Sequence, residues 1–176
     1  MVLKPQDILV LLKFVSLGER RITFAELGRA LGMSASETNA AFHRVREAGL
    51  ISPLDRLPVK SAVAELLIHG LKYLVPVKPG KRTRGLPTGF AASPLVQSFA
   101  AAERDADVPV WPDPEGIIAG YEIRPLYRSV SKAARQDPVL YEWLVLADAM
   151  RGVGHARERE LAESIIRERL GYHAGR

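Results

Sequence analysis

Thr23–Ser52, TFAELGRALGMSASETNAAFHRVREAGLIS, carries the same helix-start signal twice. Thr23-x-x-Glu26 and Ser34-x-x-Glu37 both have the form of a capping box: the hydroxyl accepts the third helical N–H and the Glu reaches back to the cap's own N–H. Gly32 breaks the first segment, and Gly49 follows the second where a left-handed residue commonly closes a helix. The spacing predicts helices over about Phe24–Leu31 and Ala35–Ala48 with a short turn between them. A longer, polar-faced second helix after such a turn is the arrangement that sets a helix into the major groove of DNA.

Working outward, Pro5 suits the first turn of a helix, and Ile8, Leu9, Leu11, Leu12 and Val15 give it a broad apolar face that Gly18 ends. Ile22 and Leu50–Ile51 are candidates for very short strands. No hairpin is expected directly after Pro53, because Val59–Gly70 has helical spacing at Val63, Leu66 and Leu67. Tyr73–Val77 then reads as a strand, KPGKRTRG as a basic turn, and Leu86–Phe90 as a returning strand broken by Pro87. That makes a wing displaced by an inserted helix. Further on, Ser93-Pro94 starts a helix through PLVQSFAAAE, and strands at Val108–Trp111 and Ile117–Ile123 flank a Pro/Asp/Gly turn. Asp137-Pro138 opens a helix ending near Arg151-Gly152, and the last helix spans about Ala156–Leu170 with Gly171 as its cap. The expected class is mainly α with a small β component (α+β): a DNA-binding unit over residues 1–90 and a mixed, mostly helical region over residues 91–176.

Charge divides along the same line. Residues 1–90 hold 14 Lys/Arg against 7 Asp/Glu, and residues 91–176 hold 11 against 13. A basic N-terminal half suits a polyanion, because each cation placed on a phosphate releases condensed counterions. Hydrophobic residues make up 47% of the chain, which argues against global disorder, and cysteine is absent, which removes disulfides and thiolate metal sites. The most apolar stretch, Val59–Val77, contains Lys60, Glu65, His69 and Lys72, so no membrane span is expected. With no secretory signal pattern at the N-terminus, the expected location is the cytoplasm.

The segment LGMSASETNAAFHRVREAGLIS resembles the helix-turn-helix of bacterial winged-helix regulators of the MarR type, in its Leu-Gly-hydrophobic-Ser turn, polar second helix and closing Glu-Ala-Gly-Leu-Ile. The resemblance covers roughly residues 5–90 and departs from the family at the helical insertion over 59–70. It implies a winged-helix fold and sequence-selective binding of double-stranded DNA. The tail DPVLYEWLVLADAMRGVGHARERELAESIIRERL also resembles those of winged-helix proteins encoded beside nucleotidyltransferase toxins.

Periodicity sorts the second helix into an inner stripe of Thr38, Phe42, Val45 and Ala48 and an outer face of Ser36, Glu37, Asn39, Ala40, His43 and Arg44. Asn39 has the geometry for an adenine edge, Arg44 for guanine or phosphate, and Ala40 for a thymine methyl group. Ser34 and the helix start suit a phosphate oxygen. Glu37 serves as capping partner or as a cytosine acceptor, His43 as a base contact or a plain surface residue, and Arg46 lies at the flank. Lys78, Lys81, Arg82 and Arg84 form the basic tip expected on DNA backbone.

Other chemistry has little footing. His43, His69, His155 and His173 are scattered, His69 reads as a core residue, and no phosphate loop or nucleophile elbow occurs. Asp105, Asp107, Asp113 and Glu115 read as a solvated turn. The expectation is therefore a non-enzymatic, cofactor-free regulator, mainly a repressor, acting as a homodimer. Its C-terminal half then dimerises, senses a small-molecule effector or binds a protein partner. The alternative is an antitoxin-type protein that neutralises an enzyme through that half and autoregulates through the other.

Overall fold

Helix α1 (Pro5–Leu17) is the axis of the molecule, because its apolar residues run almost all the way round. Ile8, Leu9, Val10, Leu11 and Leu12 are all fully buried, as expected of a helix covered on every side. A computed structural model describes residues 2–100 and 107–173. On one side of α1 lie α2 (Phe24–Leu31) and α3 (Ala35–Glu47). On the other lies α7 (Pro138–Arg151), and Lys13 of α1 meets Asp137, the N-cap of α7, at 2.6 Å.

Both capping boxes form as the sequence predicts. Glu26 N–H donates to Thr23 Oγ1 at 3.2 Å and Glu37 N–H to Ser34 Oγ at 3.1 Å. Thr23 N–H and Ser34 N–H donate back to the two carboxylates at 2.8 and 2.9 Å. Gly32 closes α2 in the left-handed region, as anticipated. Phe42 then gathers the unit: its ring lies 5.3 Å from that of Phe14 on α1 and 5.4 Å from that of Phe24 on α2. Thr38, Phe42 and Val45 are buried as their stripe requires, whereas Ala48 is exposed.

A tight hairpin follows Ile51 at once, contrary to expectation. Val59 N–H donates to Leu50 O and Ser52 N–H to Leu57 O, both at 2.9 Å, around a single bridge between Ile51 and Pro58. Pro53 and Pro58 sit where no ladder donor is needed, one in the tip and one at the bridge. Ile22 forms no strand.

After the hairpin, the predicted helix runs longer than expected, as α4 (Lys60–Glu65), a widened π-type turn (Leu66–Gly70) and α5 (Leu71–Leu74). Leu71 N–H donates to Leu66 O five residues back, and Val63, Ala64, Leu67, Ile68 and Leu71 stay on the core side. The strand expected at Tyr73–Val77 is therefore absent, and His69 lies exposed rather than in the core.

The second half of the basic turn is itself strand. β1 (Arg82–Pro87) pairs antiparallel with both β2 (Val108–Pro112) and β3 (Ile118–Glu122), which pair parallel with each other and close a small barrel. Gly85 lies opposite both Pro112 and Ile118, at the point where the chain crosses from one side of β1 to the other. Phe90 belongs to a short helical turn (Gly89–Ala91), and only another such turn (Val96–Ser98) appears where a helix was expected after Ser93. The end of that expected helix, and Asp105, lie outside the described residues.

Helix α6 (Val130–Gln136) was not anticipated; α7 and α8 (Ala156–Leu170) match their predicted spans. A single apolar core runs through both halves of the chain. The expected division at residue 90 separates β1 from both of its partners, so the sheet belongs to neither half alone. Among the described residues no helix is long and apolar enough to cross a membrane.

Candidate nucleic-acid interface

Because α1 and α2 cover one side of α3, its other side is left open: Ser34, Ser36, Ala40, His43 and Arg46 are exposed and Asn39 is half-buried. Glu37 is held by its own cap. The Ser34 backbone N–H first, then the Ser34 hydroxyl and the Tyr127 hydroxyl, keep its carboxyl below the usual range. Tyr127 Oη donates to the second Glu37 oxygen at 3.1 Å. The capping role is the one the geometry displays.

Arg44 is placed differently from expectation. Its Nε and Nη2 donate to the two oxygens of Asp7 at 2.8 and 2.7 Å, and Asp7 is completely buried at the first turn of α1. This bidentate pair holds α3 against α1 and raises the guanidinium pKa. Arg44 is thus engaged inside the protein, and the outer face is narrower than periodicity suggested.

The C-terminal end of α3 is cationic. Arg46 Nη2 lies 3.2 Å from His43 Nδ1, with its guanidinium 5.8 Å from the Phe42 ring. Arg56, from the hairpin, stacks over Phe42 at 4.8 Å and Phe24 at 5.2 Å, which fixes the hairpin to the helices. Arg20 and Arg21 are exposed on the neighbouring α1–α2 turn. Leu54, at the hairpin tip, is 95% exposed. Sequence reasoning missed Arg20, Arg21 and Arg56 because their position depends on a hairpin that it placed elsewhere. The Asp55-Arg56 dipeptide after Pro53 was a turn signal that could have found it.

The basic residues assigned to the wing are not beside this hairpin. Arg82 and Arg84 project from β1, with Arg82 ion-paired to Asp107 and Arg84 Nη1 at 3.5 Å from Ile117 O. Lys78 and Lys81 are exposed on the approach to β1. A wing tip built from KPGKRTRG is therefore corrected: its second half, residues 82–85, lies in the barrel, because the alternation of Arg82, Thr83 and Arg84 meets the edge of β3, and residues 78–81 form the loop that leads into it. The acidic loop is only partly solvated, since Asp113 and Glu115 hold Arg135 at 2.8 and 2.7 Å.

Compared with protein-family models, curated proteins and solved structures, the chain matches none. The geometry of α3 and its surroundings therefore has to carry the functional reading. Among the described residues no group of His, Asp and Glu has the arrangement of a metal site. Trp111 is core rather than pocket lining, its Nε1 donating to Asp148 at 2.7 Å.

Proposed function

We propose that α1–α3 and the hairpin over residues 50–59 form a winged helix-turn-helix, and that the protein is a sequence-specific DNA-binding transcriptional regulator acting as a repressor. The observation that carries the reading is the state of α3. One face is sealed against α1 and α2, and the other offers Ser36, Asn39, Ala40 and His43 next to the cationic end formed by Arg46 and Arg56. Short polar side chains in line on an exposed helix suit base edges, and guanidinium groups at its end suit phosphates. The resemblance of this segment to MarR-type regulators points the same way.

The mechanism follows from insertion. α3 enters a major groove, Asn39 and His43 contact base edges, and the hairpin follows the backbone, occluding a promoter. As a homodimer the protein would set two α3 helices about 34–36 Å apart on a pseudo-palindromic site. The test is a mobility-shift titration on DNA upstream of the protein's own gene with excess nonspecific competitor. A competitor-resistant shift is expected, lost in Asn39→Ala/His43→Ala. Competitor-sensitive binding that the double variant retains would defeat sequence recognition through α3.

The antitoxin alternative draws less support. The apolar side of α8 is turned into the chain's own core, with Ala162, Ile166 and Leu170 buried and Leu161 and Ile165 packed against it.

A further inference from the structure

We propose that the C-terminal half also grips the duplex read by α3, with Arg124 and Arg128, backed by Lys78 and Lys81, as phosphate contacts at the end of α3 opposite Arg46 and Arg56. The proposal rests on α3 being the DNA-reading helix and extends the interface onto a segment remote in sequence. After β3 the chain runs across the α2–α3 turn and is fastened on both sides of it. Tyr127 Oη donates to Glu37 at 3.1 Å, and Ser129 Oγ donates to Leu31 O in the last turn of α2. A Cβ on Gly32 would stand 2.9 Å from Ser129 Cβ, so the two segments are in close contact.

The segment is rigid at its other end too, because the carbonyl of Arg124 accepts from the buried Arg151 at 3.1 Å. Its cations nevertheless face solvent, Arg128 with its guanidinium 5.5 Å from the Tyr127 ring. Arg124 and Arg128 are exposed, and among the described residues neither forms an ion pair. They stand beside a groove that reaches Glu37 in the first turn of α3 and is bounded opposite by Val75 and Pro76. Lys78 and Lys81 continue from Pro76. Gly80 N–H donates to Glu122 O and Glu122 N–H to Lys81 O, both at 2.8 Å, so this loop is tied to the strand end two residues before Arg124. These lysines are also exposed and without ion pairs among the described residues.

Four unpaired cations on adjoining, backbone-fixed segments repel one another and suit a polyanion. The nearby Glu37 carboxylate is anionic and offsets part of this charge, Arg128 being one of the groups that hold its pKa down. Its oxygens accept from Ser34 and Tyr127, however, and among the described residues it forms no ion pair with any of the four. Dimensions agree with a duplex. The 13 residues of α3 span about 20 Å, longer than the roughly 12 Å width of a major groove. A helix seated in that groove brings both of its ends towards phosphates, and cations stand at both.

The test is binding of the full-length chain to random-sequence duplex DNA across a salt series. Wild-type affinity is expected to fall linearly on logarithmic axes, by about 0.9 in slope per phosphate contact. Arg124→Ala/Arg128→Ala should flatten the slope by about 2, whatever the DNA sequence, as should Lys78→Ala/Lys81→Ala. An unchanged thermal midpoint in each pair separates lost contacts from lost structure, and Arg124→Gln/Arg128→Gln gives the same readout with the side-chain length kept. Asn39→Ala/His43→Ala should instead lose preference among sequences and keep its slope. Wild-type slopes in both cation variants would overturn the inference while leaving α3 as the reading helix. Failure of the wild type to bind any duplex would overturn the α3 reading and the inference with it.

Discussion

Glu158 is the residue least at ease in the molecule. It sits in the first turn of α8, 1% exposed, between Gly89 and Gly154, and neither carboxylate oxygen has a hydrogen-bond partner of good geometry. Burial is the main cause that pushes its pKa up to about 7, and the charge of Asp148 adds to it; the nearby N–H groups of Phe90 and His155 offset only part. The phenol of Tyr121 is pushed up to about 12, chiefly by burial, with the charge of this carboxylate adding to it. Unfolded, Glu158 ionises near its usual value of 4.5, whereas folded it keeps its proton up to about 7. Stability is therefore lost as pH rises between those values and is flat above them, a cost of about 3 kcal/mol. In urea titrations at pH 5 and pH 8, Glu158→Gln should shrink the stability difference between the two by about 2–3 kcal/mol. An unaltered difference would mean the carboxylate is already solvated or paired when ionised.

Arg44 gives a second prediction at this scale. Removing it leaves the fully buried Asp7 carboxylate with only the Lys4 N–H at 2.8 Å. Arg44→Ala should cost about 2–4 kcal/mol in chemical denaturation. If stability is untouched and DNA binding is lost, the residue belongs to the interface after all.

Among the elements, the barrel is the one with least tolerance. At Gly85 the strands cross so closely that a Cβ would lie 1.9 Å from the Trp111 carbonyl oxygen. Gly116, in the loop that carries the chain over β1, would put its own Cβ 2.4 Å from Gly85 Cα. Backbone, unlike a side-chain tip, cannot step aside without breaking the pairing of Gly85 with Pro112 and Ile118. Gly85→Ala should therefore exceed the roughly 1–3 kcal/mol of ordinary overpacking, read as a large drop in thermal midpoint. A drop within that range would show that the crossing can open. The barrel also explains why β2 and β3 make no hairpin with each other. β2 and β3 are separated by a turn-rich loop, but β1 lies between their paths and the loop spans it, so they run parallel.

Across the whole molecule, one buried polar node joins the two halves. Asp148 Oδ2 accepts from Thr88 Oγ1 and Trp111 Nε1, both at 2.7 Å, and Asp148 Oδ1 pairs with Arg151 Nη1 at 2.7 Å. Arg151 goes on to donate to Val75 O at 2.8 Å and to Arg124 O. Asp148→Ala would strand a buried guanidinium and two buried donors, an effect of about 3–5 kcal/mol. Since its partners come from both halves, unfolding should remain one transition shifted to lower denaturant. A variant in which one half melts before the other would show that the node does not couple them.

The helices were legible because their signals are local. Thr23, Ser34, Asp137 and the glycines at 18, 32 and 171 act within one helical turn, and apolar spacing fixed which side of α3 faces inward. What the sequence determined by itself was thus the start, end and buried face of each strong helix, together with the basic character of the N-terminal half. Tertiary structure alone decided the rest, since each case depends on a partner far along the chain. Arg44 is drawn inward by Asp7, Arg82–Arg84 become a strand only when β3 is alongside, and Arg124 and Arg128 reach the α3 end through the docking of Tyr127 and Ser129. Pairing between distant residues leaves no periodic mark in sequence, so the hairpin, the barrel and the composition of the candidate interface emerge only when the chain is folded.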